Sequence, residues 1–480
     1  MSNLLASIGA GGHTLDVLQN ALSVIQANVS NASTPGYASQ QVSLTALPMD
    51  IASGLTGGVA YSGMLSSRDS YADTEVQRQL QALGQYTSQA QGTSTLQSLF
   101  DVTCTSGVSA ALTQLFQSFS SWSVSPSDSS TQQAVLSSAG TLASSISGLS
   151  SSLASTSQQL DGQIGSTVTQ INALAVQIQQ YNVQRQQDPQ PDPGADASLE
   201  SNLESLSQLV NFTTVNQSDG TVTVLLGGST PLVLGDQALS ISSQNSVTSP
   251  PPPANPQSPP SAHILDSQGN DITAELTGGQ LGGTLDVRNR VLGSIVGDAQ
   301  QAGSLNQLAQ GLADTVNQIL TSGYVSTAPG AASGEALFTY DSSDATLAAQ
   351  SLELNPSITA DQLAPVDASG NSNGNANTLA ALANQTTGQG SINGMSYTEY
   401  FGQVASDIGQ EAQTAQNNQT AQQTVSAQAQ SLRDNISGVS LDQEAATLMQ
   451  FQKSYQAAAQ VLTTLNSLAD SVLNIIPQTT

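Results

Sequence analysis

The two ends of this 480-residue chain carry the same helical stripe. Near the start, Leu4, Ile8, Gly11, Leu15, Leu18, Leu22, Ile25 and Val29 fall at alternating spacings of four and three. Near the end, Leu441, Leu448, Tyr455, Leu462, Ala469 and Ile476 recur every seven residues, with Phe451, Ala458, Leu465 and Val472 between them. An apolar residue roughly every 3.5 positions makes one narrow seam along a helix, and such a seam needs a second helix. Seams at both termini imply that the ends pair with each other or with neighbouring copies. That is the wiring of an assembly subunit.

The rest of the pattern is mostly helical. The first helix stops at Asn31-Ala-Ser-Thr-Pro-Gly-Tyr37, where Asn tolerates a left-handed cap and Pro cannot continue a helix. Residues 38–65 read as extended, with alternation at Val42, Leu44 and Leu47. Residues 70–120 read as helix. Residues 131–187 form one long stripe through Leu142, Ile146, Leu153, Leu160, Ile164, Ile171 and Ile178, which the proline cluster 188–194 ends. Val222, Val224, Leu226, Leu232, Leu234, Leu239 and Ile241 alternate between turn residues and predict strands, which Ile264 and Leu265 would continue. Seven prolines in 250–260 predict an extended, exposed spacer. Helix is expected again from Leu285 to about Tyr324 and from 396 to 434. The fold class is mainly α with a β insertion.

Charged residues make up only 9% of the chain, against about 25% in an average domain, and polarity comes from Ser, Thr, Gln and Asn instead. The net charge is −27, and the seven basic residues are Arg68, Arg78, Arg185, Arg288, Arg290, Arg433 and Lys453. Phosphate backbones need several cations on one face, so nucleic acid is excluded as a partner. An anionic membrane surface is disfavoured for the same reason. No run of apolar residues is long enough for a membrane span, and no charged leader precedes an apolar block, so membrane insertion and a cleaved signal peptide are not expected. Cys104 stands alone, and His13 and His263 are far apart, so neither a disulfide framework nor a metal site is expected. No nucleophile elbow, phosphate loop or zinc-protease motif occurs, and Asp266–Asp271 reads as a turn because it lacks the glutamate of a calcium loop. The chain is read as non-enzymatic, with no catalytic residue and no cofactor.

Asn28-Val-Ser-Asn-Ala-Ser-Thr-Pro-Gly-Tyr37 resembles the N-terminal signature of flagellar rod, hook and hook-associated proteins. Ser437-Gly-Val-Ser-Leu-Asp-Gln-Glu444, with Leu448, Phe451, Tyr455 and Leu462, is similar to the C-terminal helix of the same superfamily. Gly279-Gln-Leu-Gly-Gly-Thr-Leu-Asp-Val-Arg288, the helix Leu305–Asn317 and Gly334-Glu-Ala-Leu-Phe338 narrow the resemblance to the FlgK-type hook-associated family. Two positions depart from it. The basic residue expected soon after Tyr37 is absent, and Asn289 replaces the acidic residue expected after Arg288.

The resemblance implies a structural subunit of the bacterial flagellum, at the junction between hook and filament. It implies export in unfolded form through the flagellar channel, assembly outside the cell, and no cleaved signal. Its partners would be copies of itself in a ring, hook protein, the filament-side junction protein and an export chaperone. The expected organisation is an inner tube domain of terminal helices (1–60 plus 435–480), a helical body (61–210 plus 284–434) and a β-rich outer domain (211–283) bearing the proline-rich loop 249–260. The assembly motif would be Asn28, Asn31, Thr34, Pro35, Gly36 and Tyr37. The C-terminal packing seam would be Leu441, Leu448, Phe451, Tyr455, Leu462, Leu465 and Val472. The alternatives are a hook or filament-side junction protein of the same superfamily, or a coiled-coil surface adhesin, which needs a signal peptide and an anchor.

Overall fold

The computed structural model describes residues 2–50, 55–100, 106–190, 192–245, 261–297, 302–343 and 346–475. Cys104 and the proline-rich loop lie outside these residues. Helix α1 (Ser2–Ser30) runs unbroken through Gly11 and Gly12. A tight turn leads into an antiparallel hairpin of β1 (Gln40–Asp50) and β2 (Leu55–Ser66), with a bulge between Ser43 and Leu44. Three helices follow: α2 (Ser70–Gln97), α3 (Gly107–Val124) and α4 (Ser129–Gln187). The last has 59 residues and is about 88 Å long. Prolines end it, and α5 (Pro193–Leu209) starts with Pro193 in its first turn. The carboxylates of Asp69, Asp128 and Asp192 cap α2, α4 and α5 by accepting from first-turn amides.

The alternating stretch forms a four-stranded antiparallel meander of β3 (Phe212–Asn216), β4 (Val222–Leu226), β5 (Thr230–Leu234) and β6 (Gln237–Ala238). β7 (Ser242–Asn245) and β8 (Ala262–Leu265) pair separately, so Ile264 and Leu265 do not extend the meander. The helix expected from Leu285 begins earlier, at α6 (Gly279–Leu285). It continues as a π-helical turn over 286–291 and α7 (Leu292–Val296), then breaks at Gly297, whose φ is +90°. Helix resumes as α8 (Ser304–Thr321). The loop-rich stretch holds β9 (Phe338–Thr339), α9 (Ala348–Ser351), β10 (Glu353–Leu354) and α10 (Gly374–Ala381). α11 (Tyr397–Ser437) opens on a capping box between Ser396 and Glu399, and α12 (Leu441–Ile475) follows.

Two apolar cores share α4. The first gathers α3, the first half of α4, α7, α8 and the start of α11 around Trp122, Phe119, Phe338 and Tyr397. The second joins Ile164, Ile171 and Ile178 of α4 to α5 and to the inner faces of β4 and β5. The β insertion therefore shares its core with α4, α5 and α6, and the two cores meet along α4. A small sheet with one apolar face needs helices to cover it. Asn182 reinforces the joint by accepting from the Val222 amide at 2.8 Å and donating to the Val222 and Gly235 carbonyls, each at 2.8 Å.

Candidate assembly interface

The terminal helices pair antiparallel. Near the end of α1, Asn28 meets Glu444 at the start of α12, and towards its beginning Gly11 lies under Leu462. A Cβ on Gly11 would stand 3.0 Å from Leu462 Cδ1, so this glycine admits a seam residue from the other helix. Leu448, Phe451, Tyr455, Leu462 and Leu465 are half-buried, whereas Leu441 and Val472 are exposed in the single chain. Leu441 opens α12 beyond the Asn28–Glu444 pair, where α1 has nearly ended. Phe451 lines a cleft of about 240 Å³ with Ala21, Ile25 and Val42.

Asn28 is buried and uses its whole amide. Its nitrogen donates to the Gln40 carbonyl at 2.8 Å and to Glu444 Oε1 at 2.9 Å. Its oxygen accepts from the Gln40 amide and the Tyr37 hydroxyl, each at 3.0 Å. One side chain thus joins α1, the turn, β1 and α12. Burial, with the Glu444 charge adding to it, raises the Tyr37 pKa above its ordinary value and keeps the hydroxyl a donor. Asn31 ends α1 by donating from its side chain to the Ala27 carbonyl at 2.9 Å and accepting from Thr34 Oγ1 at 3.1 Å. Thr34 and Pro35 are exposed.

Gly36 has φ +73°, and a Cβ there would lie 2.6 Å from the Ala197 carbonyl on α5. Only glycine fits both the backbone and the space. Gly36→Ala is expected to cost about 2–3 kcal/mol, read as a lower thermal midpoint, and an unchanged midpoint would refute this role.

The Gly36 carbonyl accepts from Arg68 Nη2 at 2.5 Å. Arg68 also bonds Asp73 of α2 at 3.1 Å and stands 3.5 Å from Glu200 of α5. Gln77 donates to Glu200 at 2.9 Å, and Arg433 of α11 pairs with Glu204. The α11–α12 corner closes the junction. The Ser437 carbonyl accepts from the Ser39 amide at 2.9 Å and from Ser67 Oγ at 3.0 Å. Arg68 thus holds the Gly36 turn from the far side of the hairpin.

The glycine-leucine-arginine segment forms a second convergence. A Cβ on Gly283 would sit 2.3 Å from the Gln85 carbonyl, so α6 lies directly on the α2 backbone. The π turn after it widens the helix and sends three successive side chains to three elements. Arg288 bonds Asp161 of α4 at 2.8 Å, and Arg290 bonds Asp286 at 2.6 Å and pairs with Glu411 of α11. Asn289 exchanges two hydrogen bonds of 2.9 Å with the backbone of Ala262 at the start of β8. A carboxylate could accept there but not donate, so an asparagine side chain is what makes both bonds.

Gln40, Arg68, Glu200, Ser437 and Glu444 were not singled out as site residues from sequence. Glu200 had a local signal, since it shares the α5 face of Leu199, Leu203 and Leu206. The Asn28–Glu444 pair had none, because its partners are 416 residues apart. Among the described residues, no cluster of His, Cys, Asp and Glu could hold a metal, and no helix is long and apolar enough to cross a membrane.

The family model described as flagellar hook-associated protein FlgK helical domain matches residues 93–338. The one described as flagellar basal body rod FlgEFG protein C-terminal matches residues 428–475. Flagellar hook-associated protein 1 of Bacillus subtilis (strain 168) is 26% identical over 516 residues, covering 99% of each chain. The Salmonella typhimurium protein of that name is 34% identical over 110 residues, 23% of this chain and 19% of its own. The Escherichia coli (strain K12) protein is 38% identical over 80 residues, 17% of this chain and 15% of its own. Among solved structures, the flagellar hook junction protein FlgK from Burkholderia pseudomallei superposes with a TM-score of 0.61 at 17% identity, covering 75% of this chain and 100% of that one. At that identity the likeness is one of fold.

Proposed function

Because the chain belongs to the FlgK family of flagellar hook-associated proteins, structural components of the bacterial flagellum, we propose that it forms the junction zone between hook and filament. The observation that carries this reading is the antiparallel pair α1–α12, fastened at one end by Asn28 and Glu444 and only half-covered along its length. Among its described residues α12 has none fully buried, and Leu441, Met449, Val461, Leu468 and Val472 face outward. Such a surface gains burial when neighbouring copies pack beside it, so the pair forms the inner wall of a ring. The motif Asn28, Asn31, Thr34, Pro35, Gly36 and Tyr37 turns the chain from that wall into the helical body. The β meander is the outward part.

Hook protein on one side and the filament-side junction protein on the other are the partners in this reading. The subunit leaves the cell unfolded through the flagellar export channel with the help of a chaperone and folds at the growing tip. Deleting the gene in its host tests the role. Cells with complete hooks, no filaments and flagellin lost to the medium are the expected result. Normal filaments would overturn the proposal, and absent hooks would reassign the chain to the hook or rod.

A further inference from the structure

At the joint between the N-terminal turn and the helical body, two buried carboxylates share one guanidinium. Arg68 reaches Asp73 at 3.1 Å and Glu200 at 3.5 Å while holding the Gly36 carbonyl at 2.5 Å. Both acids are more than nine-tenths buried. We propose that this cluster is a proton-holding clasp: one proton kept by the Asp73–Glu200 pair closes α2 and α5 over the Gly36 turn, and its loss loosens the turn from the body.

Burial and the neighbouring carboxylates favour keeping that proton, while Arg68, Gln77 and Arg433 favour its loss. From α2 come Asp73 and Gln77, and before it Arg68 and the capping Asp69. From α5 come Glu200, Glu204 and Asp196, the last hydrogen-bonded to Tyr181 of α4 at 2.8 Å. From α11 come Arg433 and Asp434. Arg433 bonds Glu204 and Asp434, and Arg68 is the cation that contacts both Asp73 and Glu200. Two like charges this close, with one cation between them, cannot both ionise without cost. Burial, then the Asp73 charge, pushes Glu200 up to about 7, and burial also raises Asp73.

The sign follows from linkage. A carboxyl whose folded pKa is raised contributes stability that is full below its unfolded value and is lost as pH rises through the folded value. The clasp is closed in mild acid and opens through neutrality, with local opening increasing on the order of tens of fold between pH 5 and pH 8.

Hydrogen exchange on the whole chain, corrected for the intrinsic pH dependence, tests this. Protection of residues 31–39 and 69–80 is expected to fall across that range. In Glu200→Gln, which mimics the neutral acid, protection should stay high and flat. Asp73→Asn should flatten the profile too, and serves if Glu200→Gln fails to fold. Glu75→Gln, whose partner is the exposed Arg78, should keep the native slope. A flat native profile, or the same slope in native and Glu200→Gln chains, overturns the clasp.

Discussion

Replacing Asn28 with alanine is expected to uncouple the terminal helices from each other while the helical body stays folded. The substitution removes four hydrogen bonds at one buried point. It strips the Gln40 amide and carbonyl, the Tyr37 hydroxyl and the Glu444 carboxylate of this partner. Each buried polar group that loses its bond costs about 1–3 kcal/mol, and a total of about 3–5 kcal/mol allows for partial access by water. Exchange protection in 20–45 and 441–450 should fall by more than a hundredfold, at about 1.4 kcal/mol per tenfold, while protection around Trp122 holds. Asn28→Asp separates the contributions. An aspartate still accepts from Gln40 and Tyr37, but it cannot donate to Gln40 or Glu444, and it sets a second negative charge beside Glu444. It should cost at least as much as alanine at neutral pH and recover as the pH falls. Protection at the termini equal to that of the native chain in both variants would show that the seam alone holds α1 to α12.

The legible parts of this molecule were those with local periodicity or a breaker. The 3.5-residue seams, the stripe of α4 and the proline cluster that ends it were readable because each is written within a few turns of chain. The strands of the meander were readable through their alternation. What stayed hidden was of two kinds. Contacts such as Asn28–Glu444 and Ser39–Ser437 join residues hundreds of positions apart, and nothing in a single sequence links them. The second kind is backbone irregularity. The π turn at 286–291 leaves the apolar pattern of Val287, Val291 and Leu292 close to helical, so a plain helix was the natural reading. The shared core was hidden for a related reason. Val222, Val224 and Leu226 signal a strand with a covered face, but not that α4 supplies the cover.

Arg288→Ala is the second change with a large expected effect, and it acts on the body rather than the termini. Arg288 is buried between Val287 and Val291, which belong to the first core, and its guanidinium reaches Asp161 on α4 at 2.8 Å. Breaking a buried ion pair from one side costs about 3–5 kcal/mol, because the remaining charge is left in a medium that solvates it poorly. The single tryptophan, Trp122, lies in that core, so its fluorescence during urea unfolding reports the loss directly. The midpoint should move to lower urea with little change in slope. Arg288→Lys keeps the charge but loses the planar fork that bonds Asp161 through two nitrogens, and should fall between. The double variant Arg288→Met with Asp161→Leu removes both charges together and should recover most of the loss, since an apolar pair of similar size often replaces a buried ion pair without penalty. If the double variant is as unstable as Arg288→Ala, the arginine matters for the shape of the π turn and not for its charge.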